Sequence, residues 1–187
     1  GQRYTMLHDS YGNTTSVKET PEKFASSLSS GKIYYIRNAY SGNAMAAGTD
    51  CVTTYEWTAG NNNQEFKLVS NGEEGKYCLR PVNLSGRSVA ISTSGYPANH
   101  GKLLTSPSDS TAAQTFRMRY QSDGTFIIDS MLNTGTCLDS QPNGVSEVLD
   151  GRNVMQEPSN ADDRSQRWYF IEAGSADSQS ISASAEY

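Results

Sequence analysis

The sequence predicts an all-β fold, built as three related units of short strands. Composition is the first observation, because the chain of 187 residues has only 35% hydrophobic residues but contains 11 tyrosines and 16 glycines. Such a balance favours many short strands joined by turns over a helical bundle. The other two observations are a set of alternating segments and an internal repeat, and both follow Gly31.

Six segments after Gly31 have the pattern of strands, because each is short, rich in β-branched or aromatic residues, and bounded by turn residues. They are residues 33–38, 65–69, 77–82, 115–120, 125–129 and 167–172. The segment TFRMRY has the clearest strand period, since Phe116, Met118 and Tyr120 fall on one face and two arginines on the other. Asn-Gly and Asp-Gly pairs between segments predict tight turns.

An internal repeat is the strongest signal. A Gln-x-aromatic motif recurs at nearly equal intervals, as Gln64-x-Phe66, Gln114-x-Phe116 and Gln166-x-Trp168. A glycine that follows Ser or Thr recurs in phase with the motif, at Gly42, Gly86 and Gly135. Each unit therefore begins with a strand, turns at the glycine and ends at the motif. Three such units can close a barrel and remove exposed sheet edges, which one unit cannot do alone.

The repeated motif resembles the Gln-x-Trp signature of the ricin B-type β-trefoil family. That resemblance implies a β-trefoil with threefold pseudosymmetry over residues 33–172, in units of about 33–75, 76–123 and 124–172. The remaining residues, 1–32 and 173–187, fall outside the repeat and are expected to form an N-terminal arm and a Ser-rich tail.

A short helix is expected at the end of the N-terminal arm. Thr20 suits a helix N-cap, Pro21 suits the first helical position, and Gly31 suits a stop signal.

The family resemblance implies a shallow sugar pocket in each unit. Such a pocket uses an Asp after the glycine turn, an aromatic platform on the following hairpin, and an Asn-Gln pair at the Gln-x-Trp motif. Carboxylates accept from vicinal hydroxyls, amides donate and accept, and a flat ring packs on the C–H face of a pyranose.

The third unit keeps most of the polar residues of such a pocket. The implied sugar-binding residues there are Asp139, Gln156, Ser165, Gln166 and, in the adjoining Asn-Gly turn, Asn143. The platform position holds Glu157 or Pro158 in place of an aromatic, so the resemblance predicts a degenerate site.

The first unit is degenerate in the opposite way. It keeps an aromatic platform and the amide pair, as Tyr55, Trp57, Asn63 and Gln64. Ala46 stands where the Asp is expected, and Asp50 could replace that carboxylate if its loop folds back. The second unit keeps only Gln114, with Ala90 at the Asp position, and is predicted to have no pocket.

Structural roles remain an alternative for the same residues. Each repeated glutamine could satisfy backbone groups where the hairpin meets the barrel, and Asp139 could accept a hydrogen bond from its own turn. At least one of Tyr55 and Trp57 could belong to the core, because they are two residues apart on one strand face.

Charge and motifs exclude several function classes. With 15 basic and 20 acidic residues, the net charge is −5, and no run of basic residues suggests nucleic acid binding. No segment has the roughly 18 apolar residues of a membrane span. The two histidines, His8 and His100, stand in none of the common catalytic motifs, so we expect a non-enzyme without a cofactor or metal.

Cysteines and sequons bear on secretion. Three cysteines without metal-ligand spacing would give one disulfide and one free thiol in a secreted protein. Cys51 and Cys78 are the expected pair, because they are the nearer two and flank a predicted hairpin. Two N-x-S/T sequons, at Asn13 and Asn83, are compatible with glycosylation.

Two hypotheses for the function follow. The first is a secreted, non-catalytic carbohydrate-binding module with one or two degenerate sites, whose partners are glycans or glycoproteins. The second is a protein-binding β-trefoil, either a protease inhibitor or a secreted effector. Its long loops, at about residues 92–112 and 140–164, would then contact the partner.

Overall fold

The structure is a computed structural model that describes residues 4–8, 14–18 and 24–173. The strands of these residues are β1 Tyr4–His8, β2 Thr14–Lys18, β3 Ile33–Asn38, β4 Ala44–Ala47, β5 Val52–Tyr55, β6 Phe66–Ser70, β7 Lys76–Pro81, β8 Arg87–Ser92, β9 Gly101–Pro107, β10 Phe116–Tyr120, β11 Phe126–Ser130, β12 Thr136–Asp139, β13 Arg152–Asn153, β14 Met155–Pro158 and β15 Trp168–Glu172. Short 3-10 turns lie at Asn62–Gln64, Ala112–Gln114, Pro142–Gly144 and Arg164–Gln166. The all-β prediction is confirmed.

Six strands close into a barrel. The first unit contributes β3 and β6, the second β7 and β10, and the third β11 and β15. Each of these strands pairs antiparallel with the next around the ring, and β15 pairs with β3 to close it, with Trp168 opposite Asn38. The two middle strands of each unit form a hairpin, β4 with β5, β8 with β9, and β12 with β14. The small strand β13 pairs with β5, which joins the third unit to the first.

The predicted repeat is visible in the backbone. In each unit the repeated glutamine is the last residue of a 3-10 turn, and its aromatic begins the closing barrel strand. Gly42, Gly86 and Gly135 have positive φ angles of 75°, 74° and 80°. A residue with a Cβ is strained in this left-handed conformation, which explains why the turn residue is glycine in all three units.

The core lies inside the barrel and under the hairpins. The three aromatics of the repeated motif, Phe66, Phe116 and Trp168, are all fully buried. The indole nitrogen of Trp168 donates to the carbonyl of Leu138 at 3.0 Å, so the polar atom of the largest core side chain is satisfied. Each unit therefore delivers one large ring to a shared centre.

The short helix expected after Pro21 is not found in the part of that segment that the structure describes, residues 24–31. Phe24 instead forms an isolated β-bridge with Ile171, and the amide of Ala25 donates to the carbonyl of Phe170 at 2.7 Å. The ring of Phe24 stacks on Tyr169 with centroids 4.2 Å apart. Backbone pairing with β15 thus holds Phe24 and Ala25 extended. Thr20 and Pro21 lie outside the described residues.

The predicted Cys51–Cys78 disulfide is absent, and all three cysteines are free thiols. Cys51 lies in the turn of the β4–β5 hairpin, whereas Cys78 lies on barrel strand β7, opposite Val69. The two residues were expected to flank one hairpin but belong to different ones.

The two segments predicted as long loops contain strands. Strand β9 lies within residues 92–112, and β13 and β14 lie within 140–164.

Among the described residues no helix has the length and apolar character needed to cross a membrane. In the predicted N-terminal arm, β1 and β2 pair antiparallel, with Tyr4 opposite Lys18.

Candidate functional site

Asp139, the predicted sugar-binding carboxylate of the third unit, is buried and accepts three hydrogen bonds from the protein. It ends β12 and is only 3% exposed. Its Oδ1 accepts from the Ser165 hydroxyl and from the Gln141 amide, each at 2.7 Å. Its Oδ2 accepts from Nε2 of Gln166 at 3.1 Å. The contact with Gln141 is the Asx-type turn that the structural alternative described.

Gln166 and Ser165 are equally committed to the protein itself. The Gln166 side-chain oxygen accepts from the Asn160 amide at 2.7 Å and from the Cys137 thiol at 3.1 Å. Burial raises the pKa of that thiol to about 12, so Cys137 remains a protonated donor at neutral pH. The Ser165 hydroxyl is shared between Asp139 and Asp163. These side chains satisfy one another and present little to a ligand.

The β8–β9 hairpin of the second unit packs against the same region. Gln156 is fully buried, and its Nε2 donates to the carbonyl of Ala98 at 3.4 Å. Nδ1 of His100 lies 2.6 Å from Oε2 of the buried Glu157. Burial raises the pKa of Glu157, and the neighbouring His100 opposes part of that rise. Glu157, at the expected platform position, is therefore part of a buried contact between units.

Asn143, the remaining third-unit candidate, is exposed. It lies in the turn Pro142–Gly144 with a left-handed φ of 60°. The structure thus brings together Asp139, Ser165 and Gln166, but as a buried network.

The repeated glutamines share one structural role. In each unit Nε2 donates to a hairpin carbonyl, and Oε1 accepts from a backbone amide two residues further along. The acceptors are Glu56, Pro107 and Pro158, at 2.9, 2.8 and 3.0 Å. The donors are Thr58, Asp109 and Asn160, at 2.9, 3.0 and 2.7 Å. Each glutamine therefore fixes the end of its hairpin against the barrel.

The first unit carries an open cleft of about 440 Å³, which we call the first-unit cleft. It lies between the β4–β5 hairpin and the 3-10 turn that ends at Gln64. Ala46 and Thr53, paired across the hairpin, contribute to its wall. Tyr55 and Asn63, both predicted for this unit, also line it. Asp50 is exposed but does not line the cleft.

Two polar side chains of the first-unit cleft are free to bind a ligand. The amide group of Asn63 and the carboxylate of Glu56 are exposed, and within the described residues neither has a hydrogen bond. Their backbones are fixed nonetheless. The backbone amide of Asn63 donates to Oδ1 of Asn61 at 3.1 Å, and the backbone amide of Glu56 donates to Oδ1 of Asp150 at 3.0 Å. The cleft combines unpaired polar groups with a fixed frame.

Glu56 is the residue that sequence reasoning missed. It occupies the hairpin position equivalent to Pro107 and Pro158, because its carbonyl accepts from the repeated glutamine of its unit. That position was assigned to an aromatic platform, and Glu56 lies between the two aromatic candidates of this unit. The equivalence of Glu56 with Pro107 and Pro158 is visible only from the hydrogen bonds of the repeated glutamines, which the sequence does not reveal.

Tyr55 and Trp57 line different clefts. Tyr55 is 46% exposed beside Asn63, and presents the ring that a platform requires. Trp57 is half-buried in a neighbouring cleft, where the Arg37 guanidinium lies 4.6 Å from its ring centroid. An edge contact with Tyr35, at 5.7 Å between centroids, also holds the indole.

Of the two predicted glycosylation sites, one lies among the described residues. Nδ2 of Asn83, the atom that would carry a glycan, donates to the carbonyl of Ala47 at 3.1 Å. Asn13 lies outside the described residues. Among the residues described, no group of three or more His, Cys, Asp or Glu side chains is placed to hold a metal ion.

No family model matches the chain, and no curated protein matches its sequence. Solved structures do match. A designed 3-fold symmetric protein, ThreeFoil, is 22% identical with a TM-score of 0.64, over 74% of this chain and 97% of that one. The fold is a β-trefoil. A ricin B-like lectin from Macrolepiota procera, solved with lactose, is 20% identical with a TM-score of 0.61, over 78% of this chain and 98% of that one.

One further match is part of an enzyme. An exo-β-1,3-galactanase from Clostridium thermocellum is 22% identical with a TM-score of 0.64, over 79% of this chain but only 31% of that one. At these identities the likeness establishes the β-trefoil fold, and function must be argued from the site.

Proposed function

We propose that this β-trefoil is a secreted, non-catalytic carbohydrate-binding module whose sugar site is the first-unit cleft. The observation that carries the proposal is the presence, in one open cleft of about 440 Å³, of an exposed ring and two unpaired polar side chains. The ring belongs to Tyr55, and the polar groups belong to Asn63 and Glu56.

These three groups suit the chemistry of a pyranose. The Glu56 carboxylate can accept from two vicinal hydroxyls, and the Asn63 amide can donate to one sugar oxygen while accepting from another. The exposed phenol ring of Tyr55 offers a flat surface for the C–H face of the sugar. In this arrangement Glu56 supplies the carboxylate that Ala46 lacks.

The third unit is the weaker candidate. A sugar there would have to displace the hydrogen bonds that Asp139 receives from Ser165, Gln166 and the backbone, and would have to open a buried network. Each buried donor left unpaired in this way costs about 1–3 kcal/mol.

β-Galactosides are the first ligands to test. The Macrolepiota procera lectin was solved with lactose, and another of the matching structures is an exo-β-1,3-galactanase. A single shallow cleft gives weak binding, with a Kd on the order of 1 mM for one sugar. Useful affinity then comes from clustered glycans or from a longer contact.

The test compares two neighbouring asparagines of one 3-10 turn. Binding of lactose is measured by isothermal titration calorimetry for the wild type, Asn63→Ala and Asn62→Ala. Both asparagines are exposed, but only Asn63 lines the cleft, so Asn62→Ala is the matched control. We expect Asn63→Ala to weaken binding about tenfold or more, and Asn62→Ala to leave it unchanged. Equal effects of the two variants, or absence of glycan binding to the folded protein across a glycan array, would reject the proposal.

A protein-binding role is the second candidate, and an exposed apolar loop favours it. Val145, Val148 and Leu149 are 38%, 44% and 47% exposed on the segment between β12 and β13. Neighbouring exposed apolar side chains mark interaction surfaces. Capture of a partner by the wild type but not by Leu149→Asp, with a blank glycan array, would favour this role over sugar binding.

A further inference from the structure

A second cleft adjoins the first-unit cleft, and no position of the repeat motif predicts it. This adjoining cleft has a volume of about 520 Å³ and lies where the first unit meets the segment between β12 and β13. Trp57, Asp150 and Leu149 line it, together with Arg37 and Asn43.

The two clefts share one side chain. Glu56 lines both of them, with Tyr55 on one side and Trp57 on the other. The Cα atoms of Tyr55 and Trp57 are at most about 7 Å apart, because an extended chain advances about 3.3–3.6 Å per residue. Two consecutive rings of an oligosaccharide can therefore contact the two aromatic residues in turn.

The wall between the clefts is held in a fixed position. Asp150 accepts from the Glu56 amide at 3.0 Å and from Nδ2 of Asn43 at 3.2 Å. Gly151 has a φ of +80°, and a Cβ there would lie 3.0 Å from the Tyr55 hydroxyl. A glycine at this position thus allows the tyrosine ring to lie against the segment that forms the adjoining cleft.

We propose that the two clefts form one groove that binds an oligosaccharide of at least two sugars. This inference rests on the proposed function, since the first sugar would occupy the first-unit cleft between Tyr55 and Asn63. The next sugar enters the adjoining cleft, with its C–H face against Trp57 and Leu149. Its hydroxyls donate to Asp150 and to Glu56.

The charges of the groove favour neutral sugars over acidic ones. Glu56 and Asp150 are both carboxylates, and Oδ2 of Asp150 has no hydrogen-bond partner among the residues described. Arg37, which also lines the adjoining cleft, lies over the Trp57 ring and donates from Nε to the carbonyl of Gly42 at 3.0 Å. A sialic acid or uronic acid in this cleft would meet two negative charges and a guanidinium that is already engaged.

The test is the dependence of affinity on chain length. Galactose, β-1,3-galactobiose and β-1,3-galactotriose are titrated by calorimetry into the wild type, Trp57→Ala and Asp150→Asn. We expect the disaccharide to bind the wild type at least about tenfold more tightly than galactose. Both variants should lose most of that gain, so that the ratio of the affinity for galactobiose to the affinity for galactose falls toward one. Asp150→Asn retains an oxygen for the Glu56 amide, so it remains informative if Trp57→Ala fails to fold.

Three results would overturn the groove, and they differ from a failure of the sugar site. The groove is rejected if affinity does not rise from galactose to galactobiose, or if the rise persists in both variants. It is also rejected if a sialylated trisaccharide binds more tightly than the neutral one of equal length. If one of these results is obtained while Asn63→Ala loses galactose binding, the groove is rejected but the first-unit cleft remains the proposed sugar site. Absence of binding by every sugar would reject both proposals.

Discussion

The first and third units have the same backbone plan but differ in what they offer to a ligand. In the third unit the carboxylate expected from the family pattern, Asp139, is 3% exposed and accepts three hydrogen bonds from its surroundings. In the first unit Ala46 stands at the equivalent position, and the space it leaves is an open cleft with unpaired groups on Asn63 and Glu56. The unit with the better sequence match thus has the more closed site.

This difference between the two units indicates that the repeated polar residues can stabilise the fold as well as bind a ligand. A buried carboxylate is stable only when its lone pairs are satisfied, and in the third unit Ser165 and Gln166 satisfy them. Removing the carboxylate, as in the first unit, relieves that demand. A ligand site then needs only side chains on the rim, which Asn63 and Glu56 supply.

The largest expected effect is on the folding of the third unit. Asp139→Ala leaves the Ser165 hydroxyl, the Gln166 amide and a backbone amide without their acceptor, so we expect a loss of about 3 kcal/mol in the free energy of unfolding. Asn63→Ala in the first unit should change it by less than about 0.5 kcal/mol. Urea unfolding monitored by tryptophan fluorescence measures both. Equal stabilities of the two variants would contradict the contrast drawn between the units.

Adding a carboxylate to the first unit tests the same contrast between the first and third units. Ala46→Asp adds an acceptor to the wall of the first-unit cleft, next to the groups that bind sugar in our proposal. We expect lactose to bind about tenfold more tightly, which corresponds to one additional charge-assisted hydrogen bond. Calorimetry of the variant against the wild type measures the change. Unchanged or weaker binding, with the fold intact, would contradict the expectation that a carboxylate at this position adds a contact to the sugar beside that of Glu56.

A pH effect on stability is expected from the buried contact at the third unit. Burial raises the pKa of Glu157 above its ordinary value of 4.5, so the folded state holds a proton that the unfolded state has released. That contribution to stability is present below pH 4.5 and is lost as the pH rises through the folded pKa. The stability of the wild type relative to Glu157→Gln should therefore fall over this window and be flat above it. Urea unfolding of both proteins from pH 4 to 8 tests this, and a difference that rises with pH would contradict it.

The smallest expected effect is a difference in the reactivity of the cysteine thiols between the units. It does not involve a change in the free energy of unfolding. Cys51 in the first unit is half-buried, whereas Cys78 and Cys137 are buried, and burial keeps the pKa of Cys137 near 12. We expect iodoacetamide to label Cys51 alone in the native protein, and all three cysteines after unfolding without a reductant. Mass spectrometry of the labelled peptides reads this out. A single label on the unfolded protein would indicate a disulfide between the other two.

The fold was predictable because its signals are periodic and local. The Gln-x-aromatic motif and the glycine column recur once in every unit, and their physical requirements, a buried ring and a positive φ, are properties of single residues. The short helix and the disulfide were wrong, since both depend on neighbours distant in sequence. The edge of β15 holds Phe24 extended, and different hairpins hold Cys51 and Cys78.

The site was predictable only in part. Tyr55 and Asn63, which were predicted from the family pattern of a hairpin aromatic and an Asn-Gln pair, both line the first-unit cleft. Glu56 could not be predicted to line the cleft, because its exposure depends on how the hairpin is fixed by Gln64 and by Asp150 from the third unit. Whether Asp139 faces solvent depended in the same way on how Ser165 and Gln166 pack against it, which the sequence does not show.

The most direct measurement is an NMR titration of the ¹⁵N-labelled protein with lactose, following the backbone and side-chain amides. The account predicts that shifts concentrate at the first-unit cleft, with the side-chain amide of Asn63 and the backbone of Tyr55 and Glu56 most affected. It also predicts that the side-chain amides of Gln156 and Gln166 remain unchanged. Shifts centred on those two glutamines, or no shifts up to a lactose concentration of about 50 mM, far above the expected Kd, would contradict it.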